Sequence, residues 1–277
     1  MLAVLIDEHQ LPVQRACRIV RLSRTAFYRP PPPRMRTDAP VIAALMTVVE
    51  AHGRWGFWKC FDRLRIDGRP WNHKRVHRVY CALRLNLPRR IKRRVPTRLR
   101  QPLQAPPLLN QTWALDYMTD AIYSGQRFRA LTILDEGNRE GLAIEVATSI
   151  PSPRVVRVLE DLVALHGRPR ALRTDNGPEF TAQPLVDWCE AHGVALHYIQ
   201  PGKPDQNAYI ERFNRSYRTE VLDAYAFESV SQVRDLTDTW LESYNRERPH
   251  DSLGRVPPLT FLPRPVSPGQ SHQRLLT

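Results

Sequence analysis

The sequence predicts an α/β protein whose sheet-bearing domain is preceded by small all-α modules. Two observations predict it. Hydrophobic periodicity changes from helical to alternating near Gln111, and the charge divides at the same place. Residues 1–109 hold 23 Lys/Arg against 6 Asp/Glu, net +17, while residues 110–277 hold 18 against 22, net −4. A strongly basic half joined to a slightly acidic one reads as a polyanion binder tethered to a carboxylate site; the alternative is a merely solvated basic surface. At 277 residues and 42% hydrophobic, the chain has material for two or three modules.

In the first segment, 1–33, Pro12 opens a helix running to Val20. Arg21-Leu22 forms a turn, and Ser23 caps a second helix at Arg24–Tyr28. The pattern is helix-turn-helix-like, with Arg24 a candidate DNA contact, or else a plain helical hairpin. Pro30–Pro33 is a stiff extended linker. In the second segment, 38–88, helices are expected at Val41–His52 and Phe57–Ile66, separated by a break at Gly53–Gly56. A third, capped by Asn72, spaces Val76, Val79, Tyr80 and Leu83 along one seam. Its opposite face carries Lys74, Arg75 and Arg78, which suits either DNA or solvent. The linker 89–109 opens with seven basic residues in twelve: Arg89, Arg90, Lys92, Arg93, Arg94, Arg98 and Arg100. Such a run repels itself unless it meets a polyanion, and Pro96 keeps it from being one helix.

From 110 to 263 the periods predict strands at Thr112–Thr119, Arg127–Leu134 and Gly141–Val146. A helix follows at Pro153–His166, a strand at Ala171–Thr174, a helix at Pro184–His192 and a strand at Val194–Ile199. Helices at Asn207–Leu222 and Ser231–Tyr244 close the domain, leaving 264–277 as a tail. The four cysteines are far apart, which argues against a disulfide framework and fits a reducing compartment; Cys81 and His77 share a helical face without a second pair to make a zinc site. No signal peptide or membrane-spanning segment is read, so a soluble, cytoplasmic protein is expected.

Three acids stand in unusual contexts. Asp116 lies inside the apolar run Trp113-Ala114-Leu115-Asp116-Tyr117, where an unpaired charge is costly. Asp175 ends a strand in the turn-forming Asp175-Asn176-Gly177. Glu211 follows the Gly/Pro loop of PGKPDQNAYIERFNR, early in a helix, with 35 residues between it and Asp175. Two carboxylates at strand ends and a third on a following helix suit hard divalent cations. Around them, Asn176 and Gly177 shape the turn that presents Asp175, Glu179 reads as structural or solvent-facing, the alternative being a supporting partner of the site, and Gln206 and Asn207 read as helix caps, the alternative being DNA contacts. Arg212 and Arg215 can meet phosphates or solvent, and Asp120 and Asp135 are not read as ligands, although Asp135, at the end of the second strand, can approach the site as a neighbour.

The stretches TWALDYMTD, LRTDNGPEF, GKPDQNAYIERFN and YNRERPHDSLG, at this spacing, resemble the retroviral-integrase superfamily of DDE recombinases. More closely, they resemble the OrfB subunit of insertion-sequence transposases of the frameshifting OrfA/OrfB type, from about Val13 to about Pro263. The resemblance implies an RNase H-like core, a mixed five-stranded sheet in which the first and fourth strands are neighbours. It implies Asp116, Asp175 and Glu211 as the catalytic, metal-binding triad, with Mg²⁺ or Mn²⁺, two ions per site. It also implies terminal inverted repeats and target DNA as substrates, a homo-oligomer at synapsis and an OrfA product or fusion as partner. A DNA-binding regulator and an RNase H-type nuclease are the competing readings. The YNRERPH segment belongs to the resemblance without a derived role.

The basic arm carries its own prediction. Changing Arg89, Arg90, Arg93 and Arg94 to Ala removes about four phosphate contacts, so the slope of log affinity against log salt becomes shallower by about three to four. Cognate and random duplexes lose affinity equally, because phosphate contacts carry no sequence information. Titration of labelled duplexes at several salt concentrations checks both; an unchanged slope would remove the arm from the interface.

Overall fold

The computed structural model describes residues 2–21, 23–28, 34–88, 108–200 and 207–264. The proline run Pro30–Pro33, the arm Arg89–Arg100, the loop residues 201–206 and the tail after Arg264 lie outside the described residues. The chain divides into two compact units, Met1–Leu64 with Gly68–Asn86, and Arg65–Asp67 with Leu87–Thr277.

The first unit is all helical: α1 (Leu2–Asp7), α2 (Val13–Ile19), α3 (Arg24–Tyr28), α4 (Arg34–Ala51), α5 (Phe57–Ile66) and α6 (His73–Ala82). The α2–α3 turn passes through Arg21 in a left-handed conformation. α1 was not read from the sequence, its apolar run having been weighed only as a membrane segment. α4 begins seven residues before the expected start, because it continues through Pro40. An interior proline normally breaks a helix, and this one continues through it. Val41, Leu45, Val48, Trp55, Cys60, Leu64, Val76, Val79 and Tyr80 form the core of the unit. Asn72 caps α6 by accepting the Lys74 amide.

Asp38 of α4 is buried, and its carboxylate takes Arg75 at 3.0 Å and Arg78 at 2.6 Å. The two guanidiniums hold its carboxyl below the usual carboxylate range, Arg78 most strongly. The basic face expected on α6 is therefore partly committed inside the protein. Lys74 remains exposed at its N-terminal end.

The second unit holds β1 (Thr112–Ala121), β2 (Arg127–Asp135), β3 (Gly141–Ala147), α7 (Ser152–His166), β4 (Ala171–Thr174), α8 (Pro178–Thr181), α9 (Gln183–His192), β5 (Ala195–Tyr198), α10 (Ala208–Tyr217), α11 (Val230–Arg246) and α12 (Pro258–Phe261). α10 continues into a π-helical turn, Arg218–Leu222. The sheet order is β3-β2-β1-β4-β5, with β1 antiparallel to β2 and parallel to β4. This is the mixed RNase H-like sheet expected. α8 and α12, four residues each, are too short to leave a period in the sequence.

Alternation along β1 builds two layers. Trp113 and Leu115 face the core made with α7 and α9, with Tyr117 packed against it. Ala114 and Met118 face the core made with α10 and α11, through Ile210, Phe213, Tyr217, Val233 and Tyr244. Asp116 shares the parity of Ala114 and Met118, so it points to the α10 side. Among the described residues, no helix is long and apolar enough to cross a membrane.

Gly141 marks the closest approach of that helical layer to the sheet. A Cβ there would lie 2.5 Å from Leu241 Cδ1 and 2.7 Å from the Phe213 ring. Gly141→Ala is expected to lower stability by about 1–3 kcal/mol through overpacking. Urea unfolding should show a lower midpoint with an unchanged slope; an unchanged midpoint would mean that the layer yields at this point.

Candidate metal-dependent active site

The site lies where β1 and β4 run side by side. Their register pairs Thr112 with Ala171, Trp113 with Leu172 and Ala114 with Arg173. Carried two residues further, it sets Asp116 beside Asp175, just past the end of β4. Asp175 is fixed by its turn: Oδ1 accepts the Gly177 amide at 3.0 Å. A Cβ on Gly177 would itself stand 3.0 Å from that oxygen, so the glycine serves close approach rather than an unusual dihedral. Asn176 reaches back to the Ile199 carbonyl.

Glu211 lies exposed in the first turn of α10. Asn207, read as a cap, makes no side-chain capping bond; it is buried, and its Oδ1 has no partner among the described residues. Three residues past Glu211, on the inward face, Asn214 donates Nδ2 to Asp116 Oδ2 at 2.8 Å. The Tyr117 amide donates to Asp116 Oδ1 at 2.8 Å. Asn214 was missed in the sequence. Its signal was a polar residue at i+3 from the helix acid, between the buried Phe213 and Tyr217.

Burial pushes the Asp116 carboxyl up to about 6, and the charges of Asp175 and Glu211 push the same way against the bonds from Tyr117 and Asn214. The three acids therefore share one electrostatic site. Among the described residues, no three His, Cys, Asp or Glu side chains are gathered closely enough to form a finished metal cage.

The other acids of the β-meander are each taken by an arginine. Asp120 pairs with Arg218, Asp135 and Glu140 with Arg264, Glu136 with Arg173 and Glu145 with Arg154. Glu179, beyond Asp175, pairs with Arg129, whose guanidinium also lies over the Tyr117 ring. Among the described residues, Asp116, Asp175 and Glu211 have no such partner. The surroundings fit a hard divalent cation: an all-oxygen donor set, excess negative charge, and a buried Asn214 Oδ1 without a hydrogen-bond partner.

Of the DNA contacts read from the sequence, Arg24 and Arg215 are exposed and Arg212 makes a loose, exposed pair with Asp251 at 3.6 Å. Arg89, Arg90, Lys92, Arg93 and Arg94 lie outside the described residues. Asp135 lies opposite Trp113, three residues from Asp116 along β1 and, by the alternation of the strands, on the other face of the sheet.

The raised Asp116 carboxyl has a stability consequence. Its protonated form suits the fold, so it contributes stability below about pH 4 that is lost as the pH rises through about 6. Asp116→Asn removes that loss. In EDTA, the variant should gain roughly 3 kcal/mol over wild type at pH 7.5, an upper bound at about 1.4 kcal/mol per pKa unit, and much less at pH 4.5. Denaturant titrations at the two pH values check this; an equal difference at both would show that Asp116 ionises normally.

The integrase core domain family matches residues 107–204 and again residues 192–258. An uncharacterized 39.2 kDa protein of insertion element IS476 from Xanthomonas euvesicatoria is 40% identical over 257 residues, covering 93% of this chain and 74% of its own. An uncharacterized 31.7 kDa protein of insertion element IS407 from Burkholderia multivorans is 36% identical over 248 residues, covering 90% and 89%. The HTLV-2 integrase catalytic core domain, solved in complex with magnesium, covers 55% of this chain and 96% of its own at a TM-score of 0.44 and 17% identity. With an integrase core over the sheet and insertion-element relatives alike along most of their length, the chain belongs to the integrase-core family, among the insertion-element members of the DDE transposase/integrase superfamily.

Proposed function

We propose that the chain is a DNA transposase that cleaves a strand at the end of its insertion element and joins the freed 3′-hydroxyl to another phosphodiester. The observation that carries the reading is the set of acids left without arginines. In the β-meander, Asp116 alone lacks an ion-pair partner among the described residues, and it faces Asp175 and the helix of Glu211.

Asp116 and Asp175 would hold the cations near the scissile phosphate, and Glu211 would complete the coordination of one; the proposed number is two. When bound, Mg²⁺ or Mn²⁺ supplies Lewis acidity at the phosphate and lowers the pKa of the attacking oxygen. Asn214 orients Asp116 by holding Oδ2, which keeps Oδ1 with the Tyr117 amide. In the first step water attacks phosphorus and the 3′ oxygen departs as the hydroxyl. In the second that hydroxyl attacks another phosphorus and displaces a second 3′ oxygen. No Ser, Tyr or Cys nucleophile is required.

The proposed DNA contacts are Arg24, Lys74, the unengaged donors of Arg75 and Arg78, the arm, and Arg212 and Arg215. The substrates are the terminal inverted repeats and target DNA, in the cytoplasm and on the nucleoid. A homo-oligomer is expected because two ends must be joined, and an OrfA product or fusion is the proposed partner for end recognition.

A terminal-repeat oligonucleotide with Mg²⁺ or Mn²⁺ should be nicked and then joined, with Ca²⁺ supporting binding but little reaction. Asp116→Asn, Asp175→Asn and Glu211→Gln should each abolish cleavage and joining while duplex binding survives. Binding without nicking would identify a regulator, and nicking without joining a nuclease. Full activity in excess EDTA would overturn the metal mechanism, and normal joining by any one variant would remove that residue from the site.

A further inference from the structure

The segment Tyr244–His250, YNRERPH, converges on the helix that bears Glu211. The Tyr244 ring meets the Phe213 ring edge-on at 4.9 Å, and His250 meets the Tyr244 ring edge-on as well, at 4.6 Å. Asn245 acts as a strand partner for one residue: Oδ1 accepts the Gly141 amide at 2.9 Å and Nδ2 donates to the Gly141 carbonyl at 2.8 Å. Arg248 forks onto Glu220, Nη2 to Oε1 at 2.8 Å and Nε to Oε1 at 3.1 Å, and also reaches Ser216 Oγ at 3.2 Å. Trp240 Nε1 adds a third donor to Glu220, at 3.0 Å.

The Arg248–Glu220 pair is nearly buried, the side chains being 9% and 11% exposed. A buried pair is a poor way to gain stability, since apolar side chains of similar size hold a core as well or better. What an arginine fork adds is direction: two donors on one carboxylate fix rotation and axial position together. Glu220 sits in the π-helical turn that continues α10, where the Asp223 amide bonds back to the Arg218 carbonyl. The wider turn sets the angle between Glu220 and Glu211 that a continuous α-helix would not give. At the other end, Asn207 supplies no side-chain cap. Toward its C-terminal end the run is tied by Glu220 and by Arg218, which pairs with Asp120 of β1 at 2.8 Å; nearer Glu211 it is held by the buried Ile210 and Phe213.

We infer that Arg248 is a positioning residue for the active site: through Glu220 it sets the rotation of the run Ala208–Leu222, and so the placement of Glu211 and of Asn214 against Asp116. This rests on the metal-dependent reading of the site. It also gives the YNRERPH segment a role, as the splint of the catalytic helix.

The test compares wild type, Arg248→Lys, Arg248→Met combined with Glu220→Gln, and Asp116→Asn, all full length. The double variant removes the fork and its charges but leaves Trp240 an acceptor. Mn²⁺ binding by electron paramagnetic resonance, thermal melting and duplex affinity are measured for each. Both Arg248 variants should bind Mn²⁺ about tenfold more weakly, with duplex affinity unchanged. The double variant should still melt cooperatively close to wild type, so its metal defect cannot be unfolding. A double variant that binds Mn²⁺ like wild type would overturn the inference, whatever Arg248→Lys does. If wild type binds Mn²⁺ no better than Asp116→Asn, the metal reading of the site falls first, and the positioning role falls with it.

Discussion

The structure turns on one constraint: a carboxylate is carried on the central strand of the sheet, facing a helical layer and only partly open to water. Asp116 cannot be removed from that layer without shifting the parity of β1, because a one-residue slip would send Trp113 and Leu115 to the wrong face. The fold therefore has to tolerate the charge where it is. Among the described residues it gives Asp116 two hydrogen bonds and no cation, and its carboxyl stays raised. A structural acid in this sheet is treated differently. Asp135 is fully buried, yet it takes the Asn110 and Gly137 amides and the Arg264 guanidinium. The contrast within one sheet separates acids that hold the fold from an acid that the fold holds ready.

Much of this was legible in the chain. Period-two alternation located the three meander strands to within two residues at each end, and the Gly/Pro loop before Tyr209 located α10. The acids stood out because Asp116 broke an apolar run and Asp175 preceded Asn-Gly. The partners did not stand out, because they act across sequence distance. Arg248 lies 28 residues from Glu220, Arg218 lies 98 from Asp120, and Arg264 lies 129 from Asp135. No local period records such pairs. The start of α4 was not legible either: the helix runs on through Pro40 to Arg34, and Arg75 and Arg78 hold Asp38 from outside.

Arginine has two opposed uses in this molecule. In the sheet unit it consumes acids, and its planar fork lets one residue satisfy several acceptors, as Arg264 does with Asp135, Glu140 and Asn110. In the N-terminal half arginines far outnumber acids, and only a few can be absorbed in that way. The excess, net +17 over residues 1–109, has no intramolecular counterweight of similar size, since the remainder of the chain carries only −4.

That imbalance bears on how a carboxylate site can act on a polyanion at all. A phosphodiester approaching Asp116, Asp175 and Glu211 meets like charge, and the segment that carries the sheet, residues 110–277, is itself slightly acidic, so its long-range field does not attract DNA. Two separate neutralisations are then required. On the proposed function, divalent ions would remove the repulsion locally, within the reach of the carboxylates. The basic half would provide attraction at longer range, by displacing counterions from phosphates away from the scissile bond. The first depends on the geometry of a few side chains and changes little with salt. The second depends on the number of contacts and falls steeply with it. Within one polypeptide, affinity and chemistry thus answer to different variables, and damage to either half leaves the signature of the other intact.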